Sequence, residues 1–485
     1  MKAVVRVLDE INIQLFNVAA SDIQVLIDLF KIFIPKARHT AAYKLKKWDG
    51  KEANITKDGK TYLYMLKRIM PVLEKMGYTL ELEDFRTKMP TQPPFIDKNF
   101  LAEFDIELRD YQVGSVNAVI QHRMGFLDFA TAAGKTIITA AIVRSYKDMK
   151  TVTIVPSEYL AKQTWTDVSR VVDNCHYITG KTSKKDRLKA WNADHLVITW
   201  QTLKNNKAKA SRYNVLLYDE AHVIGDVMFD LMSNHMNNAF VRIGMTGTII
   251  EEKFKYEKCA CHFGGDVLKT KEAHELMKEG HISTVEVEML ALNHNIELPI
   301  DPTNRKIDWE DEEEYLNNNK KRLNTLHDVV DILHKNHVGN SLMLIHPQSG
   351  QKLAKLLGID FIDKDTATSI REQLFEGYDD ADDYLLGATF GTVGTGISIN
   401  NIQYLYCIDL GENKTRIKQG IGRGLRKDGS LNHLKVFDIY SVLYYLENGK
   451  RRIYNFGGSK HVTGRKKIYK SLHYPFIELN SIEVK

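Results

Sequence analysis

Short apolar runs recur along this chain, separated by stretches with helical spacing. Gly125 to Phe129, Val152 to Val155, Leu196 to Thr199, Val215 to Tyr218 and Val241 to Met245 each read as a strand buried on both faces. A second series follows at Ser341 to Ile345, Tyr384 to Ala388, Tyr404 to Ile408 and Lys435 to Ile439. Strands alternating with helices predict parallel sheets covered on both faces, and two series predict two α/β domains in tandem. The join is expected between about residues 285 and 335.

The pattern is different at the start of the chain. Met1 to Val7 reads as a strand, and Ser21 to Phe33 as an amphipathic helix. Lys57-Asp58-Gly59-Lys60 reads as a hairpin-type turn before Thr61 to Tyr64. Pro90, Pro93 and Pro94 then disfavour helix and break a sheet ladder, which marks a linker. The expected pieces are 1–95, a small basic α+β domain; 96–290 and 291–449, the two α/β domains; and 450–485, a basic C-terminal extension. There is no solenoid-length repeat and no long low-complexity tract.

No apolar stretch approaches the ~20 residues of a membrane span, and Met1 to Val7 lacks the apolar core of a signal peptide. Four cysteines in 485 residues do not make a disulfide framework. Cys259, Cys261 and His262 are spaced too tightly for a zinc site and have no second ligand pair, so they are expected in the core. Reduced thiols and a cytoplasmic location follow as expectations. The net charge of +5 is too mild to argue for nucleic acid by itself. Its distribution says more. Residues 1–98 hold 17 Lys and Arg against 12 Asp and Glu, and residues 450–485 hold 9 against 2, so both ends are basic around an acidic Asp308 to Glu314.

Candidate chemistry begins at Ala130-Thr131-Ala132-Ala133-Gly134-Lys135-Thr136, where a strand turns into a helix. Backbone N–H groups of Thr131, Ala132, Ala133 and Gly134 would hold phosphate oxygens at that helix start. Lys135 would reach the β and γ phosphates of ATP, and Thr136 would ligate Mg²⁺. Gly134 is the loop's one glycine, so the motif is a thin one. Asn214 to Tyr218 then runs straight into Asp219-Glu220-Ala221-His222. An apolar strand ending in two acids delivers carboxylates to the carboxyl edge of a sheet, where ligands bind. Asp219 would hold the Mg²⁺, and Glu220 would polarise the attacking water as general base.

With these motifs in this order, the chain resembles helicase superfamily 2, the Asp-Glu-Ala-His-bearing motors with two RecA-like domains. The resemblance implies that residues 96–290 and 291–449 are RecA-like domains that bind ATP between them and step along a strand. Leu108 to Gln112 resembles the adenine-recognition motif, in which Gln112 reads the base edge and Arg109 stacks on it. Gly244 to Thr248 resembles the coupling motif, with Thr246 and Thr248 linking the acids and His222 to domain movement. Gln419 to Lys427 resembles the arginine-finger motif, read as a Gly-rich helix start with Arg423 and Arg426 on one face. Thr389 to Ser398 resembles the motif that touches both nucleic acid and nucleotide, through Thr389, Gly391 and Gly396.

Pro156 and Ser157, and Thr199, Gln201 and Thr202, resemble motifs that grip the sugar-phosphate backbone. Trp200 either stacks on a base or fills the core, and His346 is either structural or functional. Within the superfamily the resemblance is to phage recombination helicases, extending to Lys47-Trp48-Asp49-Gly50-Lys51. Those enzymes remodel branched DNA such as forks and four-way junctions.

The basic N-terminal region, Lys36, Arg38, Lys44, Lys46, Lys47 and Lys51 around Tyr43 and Trp48, suits either a nucleic-acid surface or a solvated face. The tail, with Arg451, Arg452, Arg465, Lys466, Lys467 and Lys470 beside Tyr454 and Tyr469, is expected to track phosphates. The expected protein is a monomeric ATP-dependent DNA helicase or translocase acting beside recombination or replication proteins. An RNA helicase and an ATP-gated nucleic-acid clamp remain the alternatives.

Overall fold

The computed structural model describes residues 1–247, 250, 252–296, 309–394, 399, 401–425, 433–453 and 458–485. They form two compact units: Met1–Phe129 with Gly134–Lys271, and Glu272–Lys485 with Ala130–Ala133. The first unit therefore ends ahead of the expected boundary at residue 290. The physical reason is the strand Thr284–Asn295, which pairs along its whole length with His433–Glu447 and so belongs to the second unit's sheet.

In the first unit a seven-stranded sheet runs Val267–Lys271, Met124–Phe129, Val241–Thr246, Val215–Tyr218, Thr151–Val155, His195–Thr199, Cys175–Ile178. All its pairings are parallel. Every residue of Thr151–Val155, His195–Thr199 and Val215–Tyr218 is buried, as expected where helices cover both faces. The β-branched Val, Ile and Thr that fill these strands fit that pleated, enclosed surface. Asp219 and Glu220 thus leave the sheet from a central strand, two positions from the strand that feeds the phosphate loop.

The N-terminal residues form a four-stranded sheet in the order Lys60–Tyr62, Asn12–Phe16, Lys2–Val7, Thr79–Asp84. Helices Ala20–Leu29 and Leu66–Lys75 cover it, burying Ile23, Leu26, Ile69 and Leu73. The expected helix from Ser21 to Phe33 ends early, because Ile32–Phe33 pairs with Lys51–Glu52 in a small ribbon. This module has its own core but is not detached from the large sheet. Cys261, on helix Lys253–Phe263, packs into the module's core, and Ile11 of the module packs into the core of the large sheet. Cys259 and His262 are fully buried on the same helix. Burial pushes His262 down to about 4, and its Nε2 lies 2.8 Å from Ser233 Oγ.

The second unit's sheet runs Phe361–Ile362, Leu385–Ala388, Ser341–Leu344, Tyr404–Ile408, His433–Glu447, Thr284–Asn295, Phe476–Glu478. Lys450–Ile453 adds an antiparallel strand to His433–Glu447, and Ile482–Glu483 pairs with Thr284–Asn295. The tail is therefore part of this fold. Its expected role in tracking phosphates is corrected at Arg465, which is 1% exposed and donates to Asp438 Oδ2 at 2.8 Å. Tyr469 is also buried and donates to the same oxygen at 2.9 Å. A buried guanidinium needs such partners and is not available to DNA. Arg451 and Arg452 remain exposed but pair with Glu483 and Glu447. Tyr454 lies outside the described residues. Among the described residues no helix is long and apolar enough to cross a membrane.

Candidate active site

Strand Met124–Phe129 delivers the phosphate loop, and helix Lys135–Ser145 begins directly after it. Ala132 and Gly134 have left-handed backbone, with φ of 67° and 74°. Left-handed residues set among ordinary ones are how successive N–H groups are brought around an anion. A Cβ added to Gly134 would stand 2.7 Å from Gln112 Nε2. The loop's one glycine is therefore where Gln112 reaches it. Gln112 is buried, and its Oε1 accepts the Arg109 N–H at 2.9 Å. Arg109 Nη1 donates to the Tyr111 hydroxyl at 3.1 Å, and Lys271 Nζ lies 5.6 Å from the Tyr111 ring centre. Sequence reading missed Lys271, because only the pairing of Val267–Lys271 with the phosphate-loop strand brings it there.

The acids follow from strand Val215–Tyr218. Glu220 sits at φ 53°, a conformation that costs an ordinary residue roughly 1–2 kcal/mol. Its N–H donates to Asp219 Oδ1 at 2.9 Å. Its Oε1 lies 3.5 Å from Lys135 Nζ, and its Oε2 lies 3.2 Å from His222 Nδ1. His222 Nδ1 is in turn 3.1 Å from Thr246 Oγ1. One connected path thus joins Lys135, Glu220 and Thr246, the expected phosphate-binding lysine, base and coupling threonine. Burial, and then the adjacent Glu220, push the Asp219 carboxyl up, against the pull of Lys135. Two carboxylates held together at that cost form a donor set a divalent cation would relieve, so the residues fit Mg²⁺, with Thr136 in the first turn of the helix.

Arg423 is 8% exposed and lies near the end of helix Lys414–Gly424. This corrects the expected helix start. Asn413 caps the helix, its side chain accepting the Arg416 N–H at 3.0 Å, and the glycines lie inside the helix, not at its start. A Cβ on Gly424 would meet Leu434 Cδ1 at 2.6 Å. Arg426, Gly396 and Thr248 lie outside the described residues.

The expected nucleic-acid contacts sit at carboxyl ends of strands in their own units. Ser157 caps helix Glu158–Ser169 by accepting the Leu160 N–H at 3.3 Å, directly after Pro156. Thr199 and Thr202 are buried with their hydroxyls 2.8 Å apart, and Gln201 is exposed between them. Trp200 packs against the core. In the second unit Thr389 and Thr392 repeat the device, with hydroxyls 2.7 Å apart and Gly391 exposed. These hydroxyls are engaged locally, so the groups such loops offer a phosphate are chiefly backbone N–H. Thr389 and Gly391 line a cavity of about 750 Å³ together with His346, Lys364, Arg371 and Arg416. The last three carry positive charge that no sequence motif pointed to. His346 Nε2 lies 3.1 Å from Glu313 Oε1.

The family model described as type III restriction enzyme, res subunit, matches residues 105–251. The chain is 24% identical over 347 residues to the ATP-dependent DNA helicase UvsW of Enterobacteria phage T4, covering 69% of this chain and 68% of that one. It is 28% identical over 153 residues to the DNA 3'-5' translocase XPB2 of Sulfurisphaera tokodaii, covering 31% and 33% of the two chains. Among solved structures, the ATP-dependent type ISP restriction-modification enzyme LlaBIII bound to DNA is similar in fold, with a TM-score of 0.56 at 15% identity. That likeness covers 83% of this chain and 33% of the other.

Proposed function

We propose, from the premise that this chain is a superfamily 2 helicase similar to UvsW, that it is an ATP-hydrolysing DNA helicase or translocase that remodels branched DNA. The observation that carries this reading is the path from Lys135 through Glu220 and His222 to Thr246. It gives hydrolysis a base and gives the base a connection to the end of a central strand.

The Lys135 ammonium faces the Glu220 carboxylate. A triphosphate offers more negative charge than one carboxylate and draws Lys135 to itself. The Glu220 oxygen it leaves can then accept a proton from the attacking water. His222 and the strained backbone at Glu220 hold that carboxylate in place. Asp219 and Thr136 would hold Mg²⁺, which when bound would supply charge neutralisation on the phosphates. Gln112 and Arg109 select adenine, with Tyr111 beside them.

UvsW and XPB2 are named for action on DNA, and this chain is read the same way. The strand-end loops at Pro156 and Ser157, at Thr199 to Thr202, and at Thr389 and Gly391 grip the backbone without reading sequence. Forks and four-way junctions are the proposed substrates, in recombination, replication or repair, with the protein acting as a monomer in the cytoplasm. The test is ATP hydrolysis measured with single strands, duplex, forks and four-way junctions, on matched DNA and RNA. Stimulation greatest on branched DNA, and abolished in Glu220→Gln, is expected. Equal stimulation by every DNA removes the branch preference, and stronger stimulation by RNA removes the DNA assignment.

A further inference from the structure

The N-terminal module carries a feature that its own packing does not require. Between helix Ala20–Leu29 and strand Lys60–Tyr62 the chain makes an excursion closed at its neck by the ribbon of Ile32–Phe33 and Lys51–Glu52. The lobe is built around Phe33, whose ring meets Tyr43 edge-on at 5.9 Å and has the Arg38 guanidinium 5.2 Å from its centre. Gly50 closes the lobe at φ 73°, where a Cβ would meet Phe33 at 2.7 Å and Tyr43 at 2.9 Å. Trp48 donates its indole N–H to the Lys51 carbonyl at 3.0 Å, which fixes the ring. The lobe is anchored to helix Lys253–Phe263 by Lys258 Nζ and Glu52 Oε1, 2.7 Å apart.

Arg38, Tyr43, Lys44, Lys46, Lys47, Trp48 and Asp49 line a cavity of about 610 Å³. Asp49 is occupied by the Lys51 N–H and by Lys31. Among the described residues, Arg38, Lys44, Lys46 and Lys47 have no carboxylate within salt-bridge distance. Elsewhere on the module Lys31 pairs with Asp28 and Lys60 with Asp58, while among the described residues Lys57, Lys67 and Lys75 have no carboxylate at salt-bridge distance either; what sets the lobe apart is that its cations share one cavity with two aromatic rings. Four cations gathered around two half-buried aromatic rings, against the single carboxylate of Asp49 in the same lining, leave a net positive charge that a polyanion would neutralise. Rings set between cations match a strand whose bases are unpaired, since stacking needs a free π-face and phosphates need the ammonium groups.

We infer that this lobe is a second DNA site, holding a single-stranded segment with a base against Trp48 or Tyr43 and phosphates on Lys44, Lys46 and Lys47. It rests on the reading of the chain as a DNA motor and deepens it. The motor's loops grip the backbone at the sheet edges, while the lobe selects the unpaired strand that a branch exposes.

The test uses the full chain and a labelled oligothymidine, with binding followed by fluorescence anisotropy over a range of salt without ATP. Lys44→Ala, Lys46→Ala and Lys47→Ala are combined, and compared with Lys57→Ala, Lys67→Ala and Lys75→Ala combined, which removes equal charge from exposed positions elsewhere on the module. Losing three phosphate contacts lowers the slope of log affinity against log salt by about 2, and affinity at low salt falls about tenfold or more. The control set keeps the wild-type slope. Equal loss in both sets, or no change in the lobe set, overturns the site. A loss as large for a blunt duplex as for oligothymidine overturns the single-strand assignment. Failure of the motor reading is seen separately, as wild-type protein whose ATP hydrolysis does not respond to DNA.

Discussion

The guanidinium of Arg242, on the strand that ends at Thr246, donates to the backbone carbonyl of Glu10 in the N-terminal module. It also donates to the carbonyls of His262 at 2.7 Å and Ala239 at 3.0 Å. Around it, the Glu10 N–H donates to the Asn237 carbonyl at 3.0 Å, and Asn237 Nδ2 donates to Asp9 at 2.7 Å. Arg242 is 2% exposed, and its burial lowers its basicity. Arg242 is thus a buried tie between module and large sheet, solvated by carbonyls from both.

Arg242→Ala should therefore be among the most damaging changes in the first unit. It strands three carbonyls and leaves a void, a loss of roughly 3 kcal/mol or more. Lysine should not rescue it, because an ammonium cannot reproduce a planar fork of donors. Urea unfolding of both variants, with limited proteolysis mapping residues 1–95, checks this. A midpoint within error of wild type for either variant contradicts it.

Gly134→Ala should cost ATP binding more than folding. The new methyl meets the Gln112 amide, and the backbone at φ 74° adds about 1 kcal/mol of strain. Gln112 is displaced from the loop, and affinity for ATP should fall about tenfold or more. Titration with a fluorescent ATP analogue measures it. Undiminished affinity would mean that the Gln112 contact is incidental.

Thr246→Val keeps the volume of a buried side chain and removes the hydroxyl that meets His222. If this path couples hydrolysis to movement, strand displacement per ATP consumed should fall several-fold while ATP binding persists. The comparison is unwinding rate against phosphate release on the same fork. Parallel decline of both, with the ratio intact, would assign the threonine to hydrolysis alone.

His262 predicts acid sensitivity. Its folded-state value of about 4 lies below its ordinary 6.5, because burial disfavours the charged ring. Above the ordinary value both states are neutral and the stability is fully present. As pH falls from there towards about 4, the unfolded chain takes a proton that the folded chain refuses, so stability is lost by up to about 3 kcal/mol. His294 in the second unit is also pushed down to about 4 by burial, with the same sign. His262→Gln should flatten the pH dependence of the first unit's unfolding. An unchanged slope between about pH 7 and pH 5 would discount the ring.

The central strands of both sheets are legible because each is a short apolar run between helical stretches, whereas edge strands such as Cys175–Ile178, Val267–Lys271 and Phe361–Ile362 are not; the phosphate loop and acids are legible because they sit at strand ends. Partnership across the chain is not. Arg465 looks like one more charge in a basic tail, and only the folded sheet shows that its counter-ion is Asp438, placed 27 residues earlier. Thr284–Asn295 interleaves buried with partly buried positions, several of them polar, instead of forming an apolar run, so the apolar-run signal does not pick it out. The start of helix Lys414–Gly424 is hidden because its cap, Asn413, lies ahead of the run of glycines, which by itself suggests a helix beginning. Lys271 reaches Tyr111 by strand pairing alone.

The exchange of Ile11 and Cys261 between two cores has a practical meaning for anyone recombining such proteins. The N-terminal module cannot be treated as an interchangeable cassette. A chimaera cut at the proline linker would inherit a hole where Ile11 sat and a thiol with no nest, on opposite sides of the splice. A graft that works must carry the Lys253–Phe263 helix and Arg242 along with the module, although the sequence places them far beyond any visible seam.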